Sequence, residues 1–214
     1  MDNTISMDHA EFTARRSLPM MALRGLTVFP GMMLTFEVER SMSIAALNMA
    51  MSDDQIIYLV PQIDIATDIP TPEDVYGVGT VCRIKQMMKQ PGSKTVRVMA
   101  EGIERGRTLA VRTDMPCFVA EVEPMPDVAE RKTARIEALI RHCCNLFDAY
   151  VTVSGNMAPE SVITVLGSTN AGFVSNFIAQ HVFLRPEQKQ ELLEQTRPSR
   201  RLTLLSKMLL HETS

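Results

Sequence analysis

At Pro124-Met125-Pro126 the hydrophobic period of the chain changes, and no other feature of the sequence restricts its fold as strongly. Before that point apolar residues recur at every second position, the repeat of a strand with one buried face. After it they recur at three- and four-residue spacing, the repeat of a helix with one buried stripe. Strands gathered in one half and helices in the other make an α+β chain rather than an alternating α/β one.

In the first half, LPMMALR (18–24) and MLTFEVE (33–39) read as strands, the second with Leu34, Phe36 and Val38 alternating against Thr35, Glu37 and Glu39. Ser41 is placed to cap a short helix, with Ile44, Leu47 and Met51 on one face. QIIYLVP (55–61) reads as a buried strand, and residues 64–74, rich in Pro and Asp, as a loop. A long hairpin follows: VGTVCRIKQMM (78–88), a KQPGSK turn (89–94), and a return strand with Val96 and Val98 on its core side. GRTLAVRT and CFVAEVE (117–123) complete the sheet. Many short strands and one small helix predict a compact, barrel-like β subdomain over residues 17–124.

In the second half, Asp127 and Glu130 have the spacing of a capping box. Ile136, Leu139, Ile140, Cys143, Phe147, Tyr150 and Val151 then share one helix face, which Ser154-Gly155-Asn156 ends. Pro159, the Phe173–Ile178 stretch, Pro186 and Pro198 mark four further helices, the last striped by Leu202, Leu205, Leu209 and Leu210. The prediction is an all-α bundle over 127–214. The last helix lacks a stop signal and is expected to lead into a longer protein. Residues 1–16, acidic and without an apolar run, read as a disordered leader rather than a signal or transit peptide.

Composition narrows the function. A net charge of −3 argues against a general nucleic-acid binder. No run of about 18 apolar residues predicts a membrane span. None of the four cysteines, Cys82, Cys117, Cys143 and Cys144, lies in a C-x-x-C pair, so they read as reduced core thiols of a cytoplasmic protein without a metal site.

Catalytic signatures are missing. There is no phosphate-cradling G-x-x-x-x-G-K-[ST] and no G-x-S-x-G. His142, Cys143 and Cys144 are consecutive and splay apart on a helix, so they read as a helix with Cys143 in its core face. His181 reads as a structural, hydrogen-bonded side chain. Arg105, Arg107 and Arg112, with Arg83 and Arg97, read either as a solvated face or as a basic sheet edge. Arg197, Arg200 and Arg201 read as solvated. No catalytic residue, cofactor site or metal site is expected in this chain.

Three separated blocks carry a family resemblance: LPMMALRGLTVFPGMML, VYGVGTVCRIKQMMKQPGSKTVRVMAEGIERGR and FVSNFIAQHVFLRPEQKQELLEQ. In this order, over about residues 17–211, they resemble the N-terminal substrate-recognition domain of Lon proteases, which are ATP-dependent AAA+ serine proteases. The sequence departs from the family in GSTNAGF (167–173), where a more acidic, Pro-containing turn is usual, and in its methionine content. The resemblance implies a PUA-like β subdomain followed by a helical bundle. It implies a non-catalytic part of a homo-hexameric protease that recognises unfolded or damaged proteins and supports assembly. ATP, Mg and the Ser-Lys dyad would belong to other parts of such a protein. A stand-alone PUA-like adaptor or nucleic-acid-binding module is the alternative reading.

Methionine suggests where substrate would touch. The chain has 16 methionines, no tryptophan, eight phenylalanines and three tyrosines. Methionine re-packs against many partners. The stretch LTVFPGMMLTF (26–36) sets two methionines beside a Pro-Gly turn. With Cys82, Ile84, Val96 and Val98 on the hairpin's core side, strand parity points Met87 outward. Pro30, Met32, Met33, Met87 and Met88 are therefore the expected apolar patch for substrate.

Overall fold

The computed structural model describes residues 14–155 and 157–212, which fall into two compact units parting between Pro126 and Asp127. The first unit contains β1 (Arg16–Leu23), β2 (Met33–Val38), α1 (Ser41–Met51), β3 (Ile56–Pro61), a 3-10 turn at Pro72–Asp74, β4 (Val78–Lys89), β5 (Val96–Arg112) and β6 (Phe118–Pro124). The second contains α2 (Ala134–Ser154), α3 (Pro159–Leu166), α4 (Ala171–His181), α5 (Pro186–Glu194) and α6 (Pro198–Glu212). The fold is mixed α+β.

The six strands form one sheet, in the order β2-β5-β4-β3-β1-β6. Only the β1–β3 pair is parallel, and α1 in the connection between them packs on both. At 17 residues β5 reaches two sets of neighbours. Val96–Glu101 lies between β2 and β4, and Gly106–Arg112 pairs with β6. The ladder β5-β4-β3-β1-β6 thus returns to β5, which leaves few free edges.

Alternation along β3 explains its unbroken apolar sequence. Ile57 and Leu59 join Met21, Leu23, Ile84, Val98 and the buried face of α1 in one cluster. Ile56, Tyr58 and Val60 join Leu18, Met20, Val81 and Val122 in another. A strand buried on both faces has no polar alternate positions to show. The Tyr58 hydroxyl is satisfied inside the second cluster, donating to Gly106 O at 2.9 Å, and burial pushes its pKa up to about 12.

Four local expectations are corrected. Arg16, placed in the leader by sequence, opens β1 and pairs with Val122 of β6; residues 1–13 of the leader lie outside the described residues. Arg40, not Ser41, is the N-cap of α1. The buried face of α1 is Ser43, Ala46, Leu47 and Ala50, with Met51 exposed, because small residues allow close approach to the sheet. GRTLAVRT is the continuation of β5 rather than a separate strand, its bend absorbed by a bulge near Leu109.

The second unit corrects a capping assignment. Helix α2 starts at Ala134, where Thr133 accepts from the Ile136 N–H at 3.2 Å, and ends at Gly155 with φ of 64°. Asp127 and Glu130 act far away in sequence. Glu130 accepts from the backbone N–H and hydroxyl of Ser199, at 2.8 and 2.6 Å, capping the start of α6. Asp127 takes a two-pronged ion pair from Arg201, at 2.9 and 2.7 Å. Arg201, expected in solvent, is completely buried and also donates to Ser175 Oγ and Gln195 O. Breaking such a buried pair from one side typically costs about 3–5 kcal/mol. Arg197 and Arg200 are exposed, as expected.

Candidate functional site

Residues 29–32 form a β-turn closed by Met32 N–H donating to Phe29 O at 3.1 Å. Pro30 supplies the fixed φ of its second position, and Gly31 supplies φ of 78° at the third, so the turn is type II. Its apolar character has a packing cause. Phe29 is fully buried and Val28 nearly so, and Thr80 Oγ1 donates to Val28 O at 2.6 Å. Gly31 N–H donates to Gly102 O, and Gly102 N–H to Met32 O, both at 2.8 Å. The turn is therefore seated on β5.

The five methionine-patch residues separate. Pro30 is half-buried. Met32 is 5% exposed and belongs to the core, which corrects the expectation that it stands in a surface patch. Met33, one residue on, points to the other side and is 46% exposed. Met87 is also corrected. The β4–β5 register runs Ile84 opposite Ala100, then Gln86 opposite Met99, so Lys85 is a bulged extra residue. The bulge inverts parity, placing Met87 opposite Val98 and packing it against the core. Met88 then faces outward and is 47% exposed.

Register defines the outer face of β2, β5 and β4. Met33 lies beside Glu101 and Arg83; Thr35 beside Met99 and Gln86; Glu37 beside Arg97 and Met88. Met33, Met99 and Met88 consequently form a diagonal, one strand and one row apart at each step. Such diagonal neighbours are about 7–8 Å apart, within reach of long side chains. Two ion pairs border the diagonal: Lys85 with Glu101 at 2.8 Å and Arg97 with Glu37 at 3.2 Å. Half-buried Met99 was absent from the expected patch. Its signal was available, since alternation from Val96 and Val98 turns it outward.

The remaining candidates are structural. All four cysteines are free and buried. Burial pushes the Cys143 thiol up to about 12 and the Cys82 thiol further, away from the thiolate. His181 Nδ1 lies 2.8 Å from Phe177 O, one turn back, and its ring stacks on Phe177. Among the described residues, no group of three or more His, Cys, Asp or Glu could hold a metal ion. Of the candidate basic edge, Arg105 is buried, Arg97 and Arg112 pair with Glu37 and Asp114, Arg83 is half-buried and Arg107 is exposed. No helix among the described residues is long and apolar enough to cross a membrane.

The fold is that of a Lon N-terminal domain. A solved N-terminal domain of Mycobacterium avium complex Lon protease matches with a TM-score of 0.75 at 20% identity, over 91% of this chain and 98% of that one. A Lon N-terminal domain protein from Xanthomonas campestris matches with a TM-score of 0.63 at 19% identity, over 89% and 96%. The chain belongs to the ATP-dependent protease La (LON) substrate-binding domain family, whose profile matches residues 17–211. Lon protease of Clostridioides difficile is 37% identical over 91% of this chain, and that of Desulforamulus reducens 40% identical over 84%. The chain spans about a quarter of the length of these relatives, 25% and 22%.

Proposed function

We propose that this chain is the non-catalytic substrate-recognition part of a cytoplasmic, homo-hexameric, ATP-dependent Lon-type protease. It holds unfolded or damaged protein segments on the Met33–Met99–Met88 diagonal. The observation that carries the reading is that diagonal, with two of its methionines nearly half exposed on a sheet face whose other side is core. Exposed apolar side chains gathered on one face mark a binding surface. Methionine accepts many side-chain shapes, and the bordering ion pairs keep the face soluble without fixing one partner sequence. Pro30, half-buried, belongs to the turn that leads into the strand carrying Met33. Individually weak contacts would gain avidity in a ring of six.

In this reading residues 17–124 are a PUA-like barrel and 127–214 a helical bundle that supports assembly. ATP, Mg and the peptide-cleaving dyad act in other parts of the protease. A nucleic-acid role is disfavoured, because two arginines of the candidate edge are paired with carboxylates and a third is buried.

The test is the double variant Met33→Ser/Met88→Ser, with folding checked by circular dichroism. Affinity for reduced, carboxymethylated lactalbumin, which stays unfolded, is expected to fall roughly tenfold from the lost apolar contact. Unchanged affinity in a folded double variant refutes the site.

A further inference from the structure

We propose that the methionine diagonal is an oxidation-sensitive modification site, at which a hydroperoxide converts an apolar contact face into a polar one and releases substrate. This rests on the substrate-contact reading above. The chemistry is oxygen transfer. The thioether sulfur attacks one oxygen of the hydroperoxide, the O–O bond breaks, and a sulfoxide forms while the other oxygen leaves as water or an alcohol. Sulfur is oxidised by two electrons and the hydroperoxide is reduced by two. The product is polar, and methionine sulfoxide reductases reverse it.

Burial makes the reaction selective. Met20, Met21 and Met32 pack in the core, where a hydroperoxide does not reach. Met33 and Met88 are open at opposite ends of the diagonal, with Met99 half-buried between them. The side chains that would be modified are therefore those proposed to touch substrate. Met88 stands beside Arg97 in the register, so a sulfoxide oxygen there has a guanidinium donor next to it and competes with Glu37 for it. Leucine or isoleucine would give comparable apolar area without this response. Fold integrity is preserved because the oxidised groups lie outside both core clusters.

Met42, Met51 and Met115 are also exposed and will oxidise, so the experiment separates them from the diagonal. The 214-residue chain is treated with hydrogen peroxide, quenched, and mapped by peptide mass spectrometry. Its affinity for reduced, carboxymethylated lactalbumin is measured before treatment, after it, and after repair by methionine sulfoxide reductases. The same treated-to-untreated ratio is taken for Met33→Leu/Met88→Leu/Met99→Leu. Expected are early oxidation at Met33 and Met88, protection of Met20, Met21 and Met32, and roughly five- to tenfold weaker binding that repair restores. The triple variant is expected to lose its peroxide response whatever its starting affinity. Full oxidation at Met33 and Met88 with unchanged binding overturns the proposal and leaves the contact face standing. An equal loss in the triple variant also overturns it, by assigning the effect to methionines elsewhere. Absence of binding before treatment overturns the contact face and the proposal together.

Discussion

The first unit contains two Pro-Gly turns with nearly the same backbone and opposite surroundings. Phe29-Pro30-Gly31-Met32 has Gly31 at φ of 78° and a 3.1 Å closing bond. Gln90-Pro91-Gly92-Ser93 has Gly92 at φ of 73° and a 3.2 Å closing bond. Both are type II turns, written by the same two residues. Yet Phe29 is fully buried, whereas residues 90–93 are all exposed. The first turn is bonded on both sides to Gly102 and through Val28 to Thr80. Besides its closing bond, the second is joined to its own hairpin, through Gln90 N–H to Thr95 O at 3.4 Å and Thr95 N–H to Ser93 Oγ at 3.0 Å. Local sequence thus specifies turn geometry, while the neighbouring strand decides whether the turn is part of the core.

The largest expected break in this comparison comes from Gly102→Ala. A Cβ there would stand 2.4 Å from Phe29 O, 3.0 Å from Phe29 C and 3.3 Å from Pro30 Cα. These are backbone atoms of the seated turn, so the turn itself has to lift off. Overpacking of this kind is expected to destabilise the strand-rich unit by about 3 kcal/mol. The measurement is the urea midpoint of that unit, read from the slowest-exchanging amides of β3. A shift no larger than that of an exposed strand substitution shows that β5 does not support the turn.

Next in size is Thr80→Val, which keeps the shape of the side chain and removes the 2.6 Å bond to Val28 O. A buried carbonyl that loses its partner costs about 1–2 kcal/mol. Faster hydrogen exchange at Gly31 and Gly102 should accompany the loss, while exchange in the 90–95 tip stays unchanged. Equal acceleration at both turns would contradict their independence.

How much was legible in the sequence follows the same division. The change of period, the α+β layout, the helix starts at Pro159, Pro186 and Pro198, and the stop at Gly155 are local signals, and the structure follows them. Local reading failed where partners are distant. Asp127 and Glu130 have the spacing of a capping box, but they bind Arg201 and Ser199 some 70 residues away, at separations of 74 and 69. Arg201 gave no sign of burial because its partner carboxylate lies in another segment. At the candidate site, the outward turn of Met33 and Met99 was readable from alternation. Met87 and Met88 were not separable, because an extra residue at Lys85 inverts every parity argument beyond it. Nothing in RIKQMM distinguishes a bulge from a regular strand.

The finest test replaces the two equivalent glycines in turn. At both Gly31 and Gly92 an added Cβ meets no atom within 4 Å, so sterics with neighbours drop out and only backbone conformation remains. Holding alanine in the left-handed region costs about 1–2 kcal/mol relative to a relaxed backbone. Alanine also restricts the unfolded chain, which returns about 0.4–1 kcal/mol where the native conformation tolerates it. At Gly31 the turn is fixed by Gly102 and Thr80, so it cannot relax, and Gly31→Ala should destabilise by about 1 kcal/mol. At Gly92 the exposed tip has only its own hairpin to disturb, and a shift in its dihedrals relieves the strain. Gly92→Ala should therefore cost less than about 0.5 kcal/mol, the balance of the same two terms after relaxation. Urea midpoints of the two variants under identical conditions give the difference directly. Equal losses would mean that the hairpin tip is held as firmly as the seated turn, and that the contrast between the two lies only in exposure.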